Sequence, residues 1–268
     1  MDVKLVNPIG PIGDFCGTVP ATLALAAKAQ AAGDHLTLFY QPCVNGLARL
    51  LPKRFDIELV PHHDTNGLAR GSADGKIVAD YIFDLGKAFH WCSAREVYQT
   101  RYYFLEAGLT VPDDTPRPEF ELDESAKVDI DAEWGLAPFS RCLPPEQRWP
   151  QHLWQALVDV LPDRKFVLYG QEGVDDPSFV TGKNVVPFFA HTLEQALLSI
   201  RDLRHGLISV STGPSHLAYA VKQHNLLLIN QGAFCKNPEA HRIETFIPKI
   251  KVGEVRKAMR LRESRTTP

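Results

Sequence analysis

The chain holds five cysteines, Cys16, Cys43, Cys92, Cys142 and Cys235, widely spaced and odd in number, with no C-x-x-C pair. That pattern excludes a disulfide framework and a zinc cluster as the organising principle, and the thiols are expected to be reduced and structural. No apolar run approaches the length of a bilayer span, and the opening M-D-V-K-L-V-N-P-I-G lacks an apolar signal region behind a basic start, so a cytosolic location is expected. The net charge of -3 gives no reason to expect nucleic acid as a partner. There is no G-x-S-x-G elbow, no Walker loop and no G-x-G-x-x-G. This argues against an α/β hydrolase of the usual type, a P-loop kinase and a common dinucleotide dehydrogenase.

What is present is a globular composition, 44% hydrophobic and 23% charged, over 268 residues, enough for one large domain or two modest ones. Apolar β-rich runs alternate with helical patterns, which predicts parallel sheets with helices on both faces. In the first half, strands are predicted at 3–9, 35–41, 56–60 and 80–85. A turn over 10–14 leads into an Ala-rich helix over 18–32, and further helices are predicted at 44–51 and 94–107. Residues 111–125, V-P-D-D-T-P-R-P-E-F-E-L-D-E-S, read as a linker. Beyond it come strands at 134–140, 165–169, 184–186, 206–210 and 226–230, with helices at 151–161, 192–201 and 214–222. The division predicted is a Rossmann-like domain over 1–125, a second over 126–248, and a basic helix or tail over 249–268. Ligands of such sheets collect at the carboxyl ends of the strands, so the turns at 10–14 and 211–216 are expected to face a cleft between the halves.

The richest stretch is 207–219, L-I-S-V-S-T-G-P-S-H-L-A-Y, an apolar strand running into a glycine-bearing turn that opens a helix. Amides left free at such a helix start make a seat for phosphate, with Thr212 and Gly213 offering N–H groups, Ser215 a hydroxyl, and His216 a reach toward a diphosphate or sugar hydroxyl. The same letters also suit an ordinary helix opening, with Thr212 before Gly213 and Pro214.

The opening V-K-L-V-N-P-I-G-P-I-G-D-F, then P-A-T-L-A-L, Y-I-F-D-L, R-W-P-Q-H-L-W-Q-A-L-V, V-L-Y-G and S-V-S-T-G-P-S-H-L-A-Y-A-V follow one another in an order that resembles glycosyltransferase family nine, the lipopolysaccharide heptosyltransferases and their relatives. The resemblance runs from Val3 to about Gly232. It implies a GT-B fold, two Rossmann-like domains facing a cleft, with the acceptor on the first half and a nucleotide-diphosphate sugar on the second. It further implies metal-independent transfer with inversion, no cofactor, and a saccharide or glycolipid acceptor. The family's glycine-aspartate pair maps onto Gly13 and Asp14, making Asp14 the general base that takes the acceptor proton. Negative charge growing on the leaving diphosphate would be met by the Thr212 and Gly213 amides, the dipole of the Pro214 helix and His216.

Two positions depart from the family pattern. Where the family carries aspartate before T-G this chain has Ser211, and where many members carry lysine before W-P it has Gln147 and Arg148, leaving Arg148 to supply the cation. Read from the residues alone, Asp14 is also a fair turn or cap residue. Glu172 suits a ribose hydroxyl or an exposed turn, Phe189 and His191 the border of a base or the core, and Asp84 an acceptor contact or a local cap. Asp129-Ile130-Asp131 has metal-site spacing but reads as solvated surface, and His62-His63-Asp64 as a surface loop, since adjacent side chains of an extended segment diverge. The cationic run of Lys251, Arg256, Lys257, Arg260, Arg262 and Arg265 suits a closing helix, an anionic lipid surface or a frayed end. Besides transfer, two functions fit the same fold: a nucleotide-sugar epimerase or hydrolase, and a non-catalytic donor-binding protein.

Overall fold

The computed structural model describes residues 2–63, 79–93, 99–140, 143–229, 239–244 and 247–266. It divides into two compact units, Met1–Leu122 and Asp123–Pro268. No helix among the described residues is long and apolar enough to cross a membrane.

Among the described residues the first unit is built on four parallel strands, β1 (Asp2–Asn7), β2 (His35–Tyr40), β3 (Ile57–Pro61) and β4 (Tyr81–Ile82), in the order β3-β2-β1-β4. Leu5, Val6, Leu36 and Leu38 of the two central strands are wholly buried, because a strand covered on both faces places successive side chains in core on either side. Helix α1 (Ile12–Ala31) starts six residues earlier than its periodicity predicts. Pro11 stands at its N-cap with φ −66°, a geometry that leads into a helix, and the small residues Gly13 and Gly17 are carried within it by packing despite their poor propensity. Pro20 also lies inside the helix. The turn predicted over 10–14 therefore shrinks, and Asp14 sits in the first helical turn.

A one-turn helix, α2 (Asn45–Ala48), follows β2. Strand β4 is shorter than predicted and gives way to an unforeseen helix, α3 (Leu85–Ser93), which Asp84 opens by accepting from the Lys87 amide at 3.0 Å. Helix α4 (Thr100–Glu106) is the described part of the helix predicted over 94–107; residues 94–98 lie outside the described residues.

The linker is fastened at both ends rather than loose. On the first unit the Glu121 amide donates to the Leu50 carbonyl at 2.7 Å, and Glu119 pairs with Arg54 at 2.6 Å. On the second, the Asp123 amide donates to Glu194 at 2.7 Å, and Glu124 pairs with Arg201.

Among the described residues the second unit carries six parallel strands, β5 (Trp134–Ala137), β6 (Phe166–Tyr169), β7 (Val185–Phe188), β8 (Gly206–Val210), β9 (Asn225–Ile229) and β10 (His241–Glu244), in the order β10-β9-β8-β5-β6-β7. Edge strand β10 is not among the predicted strands, because H-R-I-E is polar and mostly exposed. Helices α5 (Gln151–Asp159), α6 (Leu193–Arg201), α7 (Gly213–Ala220) and α8 (Val252–Thr266) belong to the same unit. The segment read as a basic helix or tail is helical, and Val255, Ala258 and Met259 of α8 enter the same core as Trp134, Trp149, Trp154 and Ile208. Trp149 Nε1 donates to the Ile250 carbonyl at 2.8 Å just ahead of it. At the amino edge of the sheet, Glu133 accepts from the Lys165 amide at 3.1 Å and faces Arg164 and Arg204, while Glu263 of α8 binds Arg164 at 2.8 Å and Trp134 Nε1 at 3.1 Å. The opposite, carboxyl edge carries the loops that follow β5 and β8.

Candidate functional site

In the second unit, parallel pairing brings the ends of β5, β6, β7 and β8 side by side, so the residues that follow them share one rim. The β8–α7 loop is cross-linked to the β5 loop by two hydroxyls: Thr212 Oγ1 donates to the Phe139 carbonyl at 2.7 Å, and Ser140 Oγ to the Ser211 carbonyl at 2.9 Å. Thr212 is the N-cap of α7 with extended backbone, φ −156° and ψ 170°, but its hydroxyl is spent on Phe139 instead of capping. Thr212, Gly213 and Pro214 are half-buried, and Pro214 has no N–H to give. A rigid loop thus holds the start of an eight-residue helix at the sheet's carboxyl edge, the geometry in which backbone N–H groups and the helix dipole attract an anion.

Two residues of that motif sit elsewhere than the sequence suggests. Ser215 is 2% exposed, and its hydroxyl accepts from Asn225 Nδ2 at 2.8 Å, while Asn225 Oδ1 accepts from Ser209 Oγ at 2.8 Å. His216 is 4% exposed. Both side chains turn into the unit because positions one turn into a helix that lies on a sheet face the sheet; Ser215 anchors α7, and neither is presented to solvent. The anchor Asn225 is a residue that sequence reasoning missed, its one signal being a polar residue at the head of the apolar run N-L-L-L-I.

Around the rim, the Phe189 ring lies against Gly170, where a Cβ would come within 2.5 Å of it. Glu172 and His191, both well exposed, face each other at 3.3 Å. Arg148 Nε donates to the Leu143 carbonyl at 2.8 Å, which ties this half-buried guanidinium to the loop after β5. The D-x-D triplet stands apart from this rim: Asp131 pairs with Lys165 at the amino side of the sheet, and Asp129 is exposed. Of His62-His63-Asp64, Asp64 lies outside the described residues, and the His62 amide extends the β2 pairing by donating to the Tyr40 carbonyl at 2.8 Å. Among the described residues no group of three or more His, Cys, Asp or Glu side chains is placed to hold a metal ion.

In the first unit the corresponding carboxyl edge carries the β1–α1 loop. Asn7, fully buried, donates to Thr18 Oγ1 at 2.8 Å and accepts from the Ile9 amide at 3.3 Å, and Gln41 Nε2 donates to the Pro8 carbonyl at 2.6 Å. These bonds fix where α1 begins, and hence where Asp14 stands. Asp14 is 5% exposed, and its Oδ1 accepts from Gln99 Nε2 at 3.4 Å. Gly13, also buried, directly precedes it. Burial pushes the neighbouring Cys16 thiol far up, and the negative charge of Asp14 adds to the effect, so this thiol stays protonated. On the same edge the Asp84 amide donates to Glu106 at 2.9 Å; burial pushes the Glu106 carboxyl up to about 7 against the lowering effect of that bond. Glu106 and Gln99 have no local signal in the sequence, because what gives each its character is a partner on another element.

The sequence matches no protein-family profile and no curated protein. Solved structures do match. Escherichia coli ADP-heptose lipopolysaccharide heptosyltransferase II aligns over 98% of this chain and 99% of its own at 15% identity, with a TM-score of 0.68. The family 9 glycosyltransferase of Veillonella parvula DSM 2008 aligns over 97% and 96% at 18% identity and a TM-score of 0.69. The iron-containing dodecameric glycosyltransferase TibC of enterotoxigenic E. coli H10407 aligns over 99% of this chain and 77% of its own at 16% identity, TM-score 0.67. The fold is therefore GT-B, shared by enzymes that transfer sugars, and the chain carries both of its parallel-sheet units.

Proposed function

We propose that the chain is an inverting, metal-independent glycosyltransferase that moves a sugar, a heptose by preference, from a nucleotide-diphosphate donor to a cell-envelope saccharide or lipid-linked acceptor. The observation that supports this most is the β8–α7 loop, braced by Thr212 and Ser140 so that the start of α7 offers its amides on the rim of a GT-B sheet. One of the solved proteins with this fold is named for ADP-heptose. In the reaction the acceptor oxygen attacks the anomeric carbon as the carbon–oxygen bond to the diphosphate breaks. Asp14 takes the hydroxyl proton, and the diphosphate leaves with the bonding pair. The Thr212 and Gly213 amides and the α7 dipole meet the charge that grows there, with Arg148 supplying a cation. Glu172 and Phe189 border the nucleoside.

Ser211 favours a second reading, a non-catalytic donor-binding protein, because its hydroxyl stands where the resembled family carries a carboxylate for the transferred sugar. The two are separated by incubating the protein with ADP-, UDP- and GDP-sugars, with and without envelope saccharide acceptors, in the presence of EDTA. Release of nucleoside diphosphate only when acceptor is present is the expected result. Release or epimerisation without acceptor points to a hydrolase or epimerase, binding without turnover to the non-catalytic reading, and loss of turnover with EDTA ends the claim of metal independence.

A peripheral membrane contact belongs to the same proposal. Along one face of α8, Gly253, Arg256, Lys257, Arg260 and Leu261 line a shallow hollow, and Leu261 is half-exposed. Cations beside an exposed apolar side chain suit anionic headgroups. Replacing Arg256, Lys257 and Arg260 together by Gln is expected to weaken sedimentation with phosphatidylglycerol vesicles by roughly 100-fold, at about a factor of five per charge. Equal sedimentation of the variant and the parent removes α8 from that role.

A further inference from the structure

We infer that Gln99 is the positioning residue of Asp14, and that Gly17 is small because the Gln99 amide must pass it to reach the carboxylate. The inference rests on the reading of Asp14 as the base. Gln99 stands at the N-cap of α4, yet its backbone is helical, φ −59° and ψ −26°, and its side chain makes no capping bond. Instead the side chain, 0% exposed, crosses to α1 and donates Nε2 to Asp14 Oδ1 at 3.4 Å. That is a long bond, of the kind that tightens once substrate closes on a catalytic group. On the way the amide fills the space beside Gly17, where a Cβ would lie 2.5 Å from Nε2, 3.0 Å from Cγ and 3.1 Å from Cδ. The next residue, Thr100, donates Oγ1 to the Gly17 carbonyl at 2.8 Å. Residues 99 and 100 thus clamp the turn of α1 that carries Asp14, from more than eighty residues away in the chain.

The amide is an expensive choice for mere filling. Its Oε1 is buried and makes no hydrogen bond, and an apolar side chain of the same length would avoid that cost. A carboxamide offers what an apolar chain cannot: an N–H for the carboxylate before proton transfer and, after rotation of the amide, an oxygen for the carboxyl O–H that transfer creates. One side chain then orients Asp14 in both of its protonation states.

The test uses the full chain and the transfer reaction. Gln99→Met keeps length and burial but removes the donor; kcat is expected to fall roughly 10- to 100-fold, as for a catalytic group shifted by about an ångström, with donor KM unchanged. The acid limb of the pH–rate profile should move to higher pH, a change that a purely structural role would not produce. Gly17→Ala, which pushes the amide aside, should reproduce both effects, and the double variant should be no worse than either single one, because the two act through one contact. Should Gln99→Met fail to fold, Gln99→Asn carries the same test, its amide stopping one methylene short of Asp14. Folded variants with an unmoved pH limb and near-parental kcat overturn the inference, and if Asp14→Asn is inactive beside them, the base survives and only the positioning role falls. Parental turnover in Asp14→Asn would overturn both.

Discussion

Asp14→Ala is expected to lower sugar transfer by roughly 10²- to 10⁴-fold, the usual share of a positioned base, while nucleotide binding is retained. The separation follows from the architecture: the carboxylate belongs to the first unit, Met1–Leu122, and the amides proposed for the diphosphate belong to the second. The substitution also has a structural cost. It removes an acid from the first turn of α1, where the helix dipole favours one, and leaves the buried Gln99 Nε2 without its acceptor, together about 1–3 kcal/mol. Turnover must therefore be measured on protein shown to be folded, with Asp14→Asn as the isosteric companion. Calorimetric titration with the nucleoside diphosphate checks the second half of the expectation. Near-parental turnover in a folded Asp14→Ala protein would take this carboxylate out of the mechanism, whereas loss of nucleotide binding along with turnover would mean that the substitution damages more than proton transfer.

What the amino-acid sequence discloses of this fold is what is encoded locally. The central strands read directly, since a strand buried on both faces must be an uninterrupted apolar run, as in F-V-L-Y of β6 and N-L-L-L-I of β9. The β8–α7 corner is also local, because Thr212, Gly213 and Pro214 determine the turn within three residues. The start of α1 is not. Gly13 and Gly17 argue against helix by propensity, and the contacts that overrule them, Asn7 on Thr18 and Gln99 and Thr100 on the turn before it, come from other elements. The same difference explains Ser215: a serine beside Gly-Pro at a helix start resembles a ligand hydroxyl until Asn225, ten residues on, claims it. Helix α3 lies beyond the strand predicted over 80–85, which it overlaps only at Leu85, and edge strand β10 hides behind its polar letters. The candidate site is legible where one loop makes it and illegible where two elements must meet.

Gly206→Ala is expected to destabilise the second unit by about 3 kcal/mol or more, the sum of two separate penalties. The first is backbone strain. Gly206 holds φ +144°, a region that side-chain-bearing residues enter at a cost of about 1–3 kcal/mol. The second is collision, because an added Cβ would lie 2.5 Å from the His224 carbonyl oxygen and 3.1 Å from its carbon. That carbonyl cannot yield cheaply: it accepts from the Leu207 amide at 2.8 Å, the bond that opens the β8–β9 ladder with Leu207 opposite Asn225. The chain just before is held as firmly, with the His205 amide donating to the Glu133 carbonyl at 2.9 Å. A shift of β8 to make room would also disturb Ser209, and with it the Ser209–Asn225–Ser215 relay that seats α7 behind the proposed diphosphate site. Gly33 provides the control, since it too has positive φ, +74°, but a Cβ there meets nothing within 4 Å. Gly33→Ala should cost only about 1 kcal/mol, the strain without the collision. Urea unfolding of both variants measures the difference, provided the slope of the transition is unchanged. If Gly206→Ala costs no more than Gly33→Ala, the β8–β9 corner is pliable, and the rigidity attributed to the loop at its far end, on which the proposed diphosphate seat at Gly213 depends, must come from the Thr212 and Ser140 hydroxyl bonds alone.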